Sequence, residues 1–309
     1  MRIVVYGILS NLFFMLNHRP LFFYLHPWLN MSLLQALIIA ILQGATELFP
    51  VSSLGHAVIL PRLLGWAIDQ KSPDFLPFLV VLHLGTAAAL LLYFWRDWFG
   101  FACAVIGRGQ SETVRRERKI FWLICAATLP AVVLGFALEH KLREFFGAPA
   151  LAAVFLILNG CILFLGERIK HAGSKALDQV GFKAALIIGA CQALALIPGI
   201  SRSGATMVGG VLAGLTHKDA ARFSFLLATP VIAGAGVLEV PKMLKAHDQI
   251  AFDNGTILTA GIVAALVAYL SVALLMRYFK KNEIDALKPF AYYCWAAGFG
   301  ALMLMQFVV

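Results

Sequence analysis

The sequence predicts an all-α integral membrane protein, an inverted-topology repeat with six transmembrane helices and two re-entrant helical hairpins. Three observations predict it. Of 309 residues, 61% are apolar and 13% charged, and the mean hydropathy is +0.84, outside the range of ordinary soluble domains. Six apolar stretches, near 75–95, 120–138, 148–166, 223–240, 256–276 and 289–309, each approach the ~20 residues a helix needs to cross the hydrocarbon core. Two further apolar regions, 32–66 and 184–216, are broken midway by Pro50 and by Pro198-Gly199, which leaves halves too short to cross. Irregular backbone at membrane depth persists only where protein or water covers it, and this is the setting of a re-entrant hairpin.

Taken in chain order, residues 1–30 are an appended hydrophobic N-terminal segment. Arg2 and the apolar run to Leu16 resemble a signal peptide but lack an Ala-x-Ala-like site, and Met31 is a second candidate start. Residues 31–309 form a single polytopic domain, since no interval between apolar segments is long enough for a soluble one; the longest, Arg96 to Lys119, is read as a loop of 24 residues. Successive loops carry Lys and Arg in the order six (96–119), two (139–147), four (167–183), two (217–222), two (241–255) and four (277–288). By the positive-inside rule the three richest are cytoplasmic, so the two hairpins enter from opposite faces. An offset of 149 residues maps Gln43 onto Gln192, Ser52 onto Ser201 and Gly55 onto Gly204. The repeats are therefore placed at about 31–166 and 184–309, inverted as in secondary transporters.

The net charge of +9 sits in loops, where it sets topology and meets acidic headgroups, and it does not indicate nucleic acid. Cys103, Cys125, Cys161, Cys191 and Cys294 are scattered singly and read as small core hydrophobes.

The chemistry lies at the two breaks. Between Ala184 and Thr216 the only charged side chain is Arg202, inside Pro198-Gly199-Ile200-Ser201-Arg202-Ser203-Gly204-Ala205-Thr206. A charge at the bilayer centre costs roughly 2.5–3.5 kcal/mol on insertion scales, so it normally faces a wet cavity, a partner or a ligand. Ser201 is placed to cap the following helix, whose first-turn N–H groups carry the positive end of the dipole. With the Arg202 fork and the hydroxyls of Ser203 and Thr206, this is a phosphate or carboxylate receptor. In the first hairpin Gln43 and Glu47 share a helix face and Pro50 ends that helix. Ser52 or Ser53 then caps the next one, with His56 one turn on. An anion clamp facing a carboxylate, a hydroxyl and an imidazole outlines a phosphoryl-transfer site.

These two motifs, Gln43 to Glu47 with Pro50-Val51-Ser52-Ser53-Leu54-Gly55-His56, and Pro198 to Thr206, are similar to those of the undecaprenyl-diphosphate phosphatases, the bacitracin-resistance type of membrane lipid pyrophosphatase. The resemblance runs from Met31 to the C-terminus. It implies a ten-helix inverted repeat with two re-entrant hairpins in the bacterial plasma (inner) membrane. It also implies hydrolysis of undecaprenyl diphosphate to undecaprenyl phosphate and inorganic phosphate, which recycles the carrier for peptidoglycan and confers bacitracin resistance. A divalent cation, Mg2+ or Ca2+, is implied between Glu47, with Gln43 nearby, and the diphosphate. The chain departs from the family pattern in carrying Gln43 in place of a first carboxylate, Leu79 beside Phe78, and Arg222 before Phe223.

On this reading Glu47, Ser53, His56 and Arg202 are catalytic, Ser53 and His56 both being candidate nucleophiles. Gln43, Ser52, Gly199, Ser201, Ser203 and Thr206 bind phosphate. The expected partners are a polyprenyl diphosphate, the bilayer and a second copy of the chain in a homodimer. A polyprenyl-phosphate transporter is the alternative, because paired broken helices also serve alternating access. An unrelated acid phosphatase motif fails, since Val208 stands where a histidine is required.

Overall fold

The computed structural model describes residues 31–307, apart from 71, 73–74, 108–110, 145–146, 170–172 and 246–253. The appended segment 1–30 lies outside the described residues. Within them the chain forms eleven α-helices: α1 (Leu33–Thr46), α2 (Ser53–Leu63), α3 (Phe75–Tyr93), α4 (Trp95–Ile106), α5 (Glu112–Glu144), α6 (Pro149–Ile169), α7 (Phe182–Ala193), α8 (Arg202–Leu212), α9 (His217–Lys245), α10 (Asn254–Lys281) and α11 (Lys288–Leu304).

Five of these are long and apolar enough to cross a membrane: α3, α6, and the segments Glu112–Leu138 of α5, His217–Pro241 of α9 and Gly255–Lys281 of α10. The sixth expected span coincides with α11, which has 17 residues. One expectation is overturned. The interval 96–119 is mostly helix, comprising α4 and the first turns of α5. The reason is its amphipathic pattern. Phe101 and Ala104 are buried while Trp95, Phe99 and Ile106 stay exposed. Arg118 of α5 donates to the Ala104 and Gly107 carbonyls at 2.8 and 2.7 Å, closing the end of α4. This extra helix takes the number among the described residues to eleven, where the resemblance implies ten.

The broken regions form two short helix pairs, α1 with α2 and α7 with α8. They pack into the bundle: α1 against α10, and α2 and α8 both against α6. Close helix approach is set by missing side chains. A Cβ on Gly44 of α1 would meet the Ala264 carbonyl of α10 at 2.5 Å, and one on Gly85 of α3 would strike the Gly261 carbonyl of the same helix. Small residues thus let α10 seat two neighbours, the usual way helices associate in lipid, where burial of apolar surface gives no drive.

The two ends of the bundle differ. At one, Glu167 and Glu283 flank His217, while Arg116 and Lys119 both reach Asp178. His217 Nε2 lies 2.9 Å from Glu167, and Arg116 lies 3.0 Å from Asp178. The other end has Arg62, Trp66 and Gln70, the start of α6 at Gly147–Ala150 and Met305, around a cavity of about 580 Å³. Described residues of the segments 96–119, 167–183 and 277–288 therefore share one end of the bundle.

Candidate active site

Both breaks lie between these ends, and each is built by a local device. Ser32 starts α1 with a capping box, accepting from Gln35 N–H at 3.2 Å while Gln35 Oε1 accepts from Ser32 N–H at 2.8 Å. The helix ends at Thr46 and leaves Glu47 as its C-cap, with Pro50 in the turn beyond. Ser52 caps α2 with φ +68°, a left-handed conformation that a non-glycine residue adopts only when its surroundings hold it there. Its Oγ accepts from Gly55 N–H and from Gly199 N–H of the second break, both at 3.2 Å. Ser201 caps α8 in the same way, accepting from Gly204 N–H at 3.1 Å. Gly199 has φ +106°, and a Cβ there would meet Phe155 Cβ at 2.6 Å, so only glycine fits.

One residue fastens the two breaks together. Asn159 of α6 is fully buried. Its Nδ2 donates to the Pro50 carbonyl and its Oδ1 accepts from Ser201 N–H, each at 2.9 Å. Ser203 Oγ adds a bond to the Phe49 carbonyl at 3.0 Å. Leaving either backbone group unpaired at this depth would cost on the order of 1–3 kcal/mol, so Asn159 determines how the breaks face each other.

The functional side chains converge on the buried Glu47 carboxylate. Arg202 donates from Nε and Nη2 to Oε1 at 3.2 and 3.1 Å, and from Nη1 to the Ser224 carbonyl at 3.2 Å. Three of the five guanidinium N–H groups are thereby committed, which leaves one on each Nη for an incoming anion. Oε2 accepts from Gln43 Nε2 at 3.2 Å and, in a short contact, from the Ser53 hydroxyl. It also meets His83 Nε2 of α3 at 3.3 Å. Gln43 Oε1 is buried without a hydrogen-bond partner among the described residues.

Two sequence expectations separate here. Ser53, the first residue of α2, reaches Glu47. His56 instead bonds through Nδ1 to the Ser52 carbonyl at 2.6 Å and through Nε2 to Tyr293 OH of α11 at 2.8 Å, its ring stacked on Tyr293. A carbonyl only accepts, so Nδ1 carries the proton and the Nε2 lone pair is engaged by the tyrosine hydroxyl. His56 lines an apolar groove of about 330 Å³ between α2 and α11. The hydroxyls of Ser201, Ser203 and Thr206 are also engaged within the protein. Ser201 and Ser203 pair at 3.0 Å, and Thr206 bonds to the Arg202 carbonyl and Ser224 Oγ at 2.8 and 2.7 Å. These bonds cap α8 and tie it to the first break and to α9.

His83, Asn159 and Ser224 are the site residues that sequence reasoning missed. The first carried a signal: His83 is the only His, Lys, Arg, Asp or Glu in α3, and an ionisable residue inside a span is a functional candidate by default. A divalent cation on Glu47 was expected. Every side-chain partner of that carboxylate is a donor, two of them basic, and no group of three His, Cys, Asp or Glu side chains suited to a metal occurs among the described residues. Metal cages are built from convergent acceptors, so this donor set does not fit a cation held by Glu47.

Comparison with known proteins bears on the same residues. A family model described as bacitracin resistance protein BacA matches residues 36–300. The chain is 53% identical over 294 residues to a protein of Granulibacter bethesdensis named undecaprenyl-diphosphatase, covering 90% of this chain and 98% of that one. An undecaprenyl-diphosphatase of Acidiphilium cryptum is 53% identical over 278 residues, covering 89% and 98%. An undecaprenyl-diphosphatase 2 of Oenococcus oeni is 40% identical over 274 residues, covering 88% and 98%.

Proposed function

Because this chain belongs to the bacitracin resistance protein BacA family, we propose that it hydrolyses undecaprenyl diphosphate to undecaprenyl phosphate and inorganic phosphate, with Ser53 as nucleophile. It is a multi-pass membrane hydrolase of the lipid-carrier cycle, working in the plasma (inner) membrane. The observation that carries the site assignment is the convergence of Ser53 and Arg202, from opposite breaks, on one carboxylate.

Phosphoryl transfer asks little covalent work of a protein beyond positioning and charge stabilisation. The two uncommitted Nη hydrogens of Arg202 grip the terminal phosphate, and the first-turn N–H groups of α8 add the positive end of a dipole. Ser53 Oγ attacks the terminal phosphorus. The Ser53 O–P bond forms, the bond to the bridging oxygen breaks, undecaprenyl phosphate leaves with that electron pair, and the hydroxyl proton passes to Glu47 Oε2. Water then attacks the phosphoserine: the new P–O bond forms as the bond to Ser53 Oγ breaks, Ser53 takes back the proton held on Glu47, and the hydrogens of the water leave on the inorganic phosphate. Gln43 holds Glu47 with its amide and offers its free carbonyl oxygen to the water. A divalent cation, Mg2+ or Ca2+, would enter only with the diphosphate, as its counter-ion, and would not be held by Glu47.

The membrane geometry belongs to the same proposal. Helix α11 completes six spans, and the two short helix pairs are re-entrant hairpins entering from opposite faces, as loop charge requires. Helices of 14 and 11 residues rise only about 21 and 16 Å at ~1.5 Å per residue, short of the ~30 Å core, which supports that reading. The test is phosphate release from undecaprenyl diphosphate by the purified protein. Wild type should turn over and Glu47→Gln should fall by ~10²-fold or more, the range for losing a general base. A Glu47→Gln variant with normal turnover would remove Glu47 from the chemistry.

A further inference from the structure

The expected cation at Glu47 does not fit the donors present, yet a buried carboxylate needs compensating charge. Arg202 supplies one positive group on Oε1. The second candidate is His83, on Oε2. Its Nδ1 lies 2.7 Å from the Leu79 carbonyl, one turn back in α3. That carbonyl only accepts, so Nδ1 bears a hydrogen. Its Nε2 faces a carboxylate oxygen that already accepts from Ser53 and Gln43. A lone pair turned toward an anion would be repulsive, so Nε2 bears a hydrogen as well and the ring is cationic. The Leu79 carbonyl sets its orientation, as an outer partner fixes a metal-bound imidazole elsewhere.

We propose that His83 is a positioning residue of the phosphatase, occupying with its imidazolium the place on Glu47 that the family resemblance assigns to a metal ion. The inference rests on the hydrolase reading for its kinetic consequence but not for its chemistry. While Arg202 shares its guanidinium between Glu47 and the substrate, His83 keeps the carboxylate ionised and aimed at Ser53. His83 is the residue of α3 that bonds Glu47, and it touches the carboxylate, not the substrate.

Two measurements test this. Manganese binding to the purified, substrate-free protein, followed by electron paramagnetic resonance, should show no bound ion in wild type. One Mn2+ per chain, lost in Glu47→Gln, would overturn the proposal whether or not the protein hydrolyses anything. Kinetically, His83→Gln keeps a neutral donor for Glu47 and His83→Leu keeps only bulk. In folded variants, judged by a single symmetric elution peak and an unchanged helix signal, Gln should cost kcat about tenfold or less and Leu at least thirtyfold. KM should stay within about threefold of wild type in both. Equal losses in the two variants would make His83 a packing residue, and a rise in KM with kcat unchanged would place it on the substrate; either result overturns the role. Failure of wild type to release phosphate would count against the hydrolase reading alone, the manganese result still deciding the inference.

Discussion

The two helix-break-helix elements share a frame and divide the chemistry. Ser52 and Ser201, 149 positions apart, each cap the following helix by accepting from the glycine three residues on, at 3.2 and 3.1 Å. The next residues, Ser53 and Arg202, stand at the same offset and both reach Glu47. One is a hydroxyl and the other a guanidinium. The offset carries Glu47 itself to Leu196, and Gln43, bonded to Glu47, to Gln192, whose side-chain N and O are both buried without a partner among the described residues. A duplicated cap thus presents one position twice, and the two copies are filled with complementary groups. The carboxylate that both address needs to be present only once.

Replacing Arg202 strikes this division hardest. Arg202→Lys should be nearly as damaging as Arg202→Ala, each lowering phosphate release by ~10²-fold or more, comparable to removing a transition-state donor. An ammonium cannot bond Glu47, the Ser224 carbonyl and a phosphate in fixed directions at once. A lysine variant holding more than about a third of the wild-type rate would show that Arg202 acts as a point charge.

Asn159→Leu attacks the fastening between the elements. It leaves Ser201 N–H unpaired and the Pro50 carbonyl with only the long 3.9 Å bond from Cys294 Sγ, so stability should fall by about 2–4 kcal/mol, the cost of one orphaned group at ~1–3 kcal/mol and one weakened bond. Activity should fall with it, even in the fraction that remains folded. Thermal unfolding in detergent and rate per folded protein are the readouts, and an active, undiminished variant would mean that the breaks keep their register without α6.

The smallest effect should separate the two glutamines. Gln192→Leu exchanges two unpaired polar atoms for apolar ones and should leave activity within about twofold, with stability equal or raised by ~1 kcal/mol. Gln43→Leu removes a bond to Glu47 and should cost activity several-fold. Equal losses would mean that the second element holds a functional polar site of its own.

Much of this frame was legible in the sequence, because the signals are local. Apolar length marks spans, Pro50 and Pro198-Gly199 mark breaks, and a lone Arg202 among apolar residues marks an anion or a partner. The amphipathic helix α4 was not, since its Arg96 and Asp97 resemble loop composition until Phe101 and Ala104 are seen buried on one face. The role of Asn159 was not either, nor that of His83 beyond its being ionisable inside a span: each purpose appears only when residues 109 and 36 positions away, at Pro50 and Glu47, fold against it. Spacing placed His56 with Glu47, one turn into α2. Tyr293, 237 residues further on, captures it instead.

The central claim is that Ser53, held by Glu47 and faced by Arg202, takes the phosphoryl group. Its most direct test is a rapid quench of the enzyme mixed with undecaprenyl diphosphate labelled in the terminal phosphate, into acid and into alkaline denaturant in parallel, followed by peptide mapping. The account predicts an acid-stable phosphoserine at Ser53 that disappears in Ser53→Ala. A label that survives base but not acid and maps to His56 would contradict it.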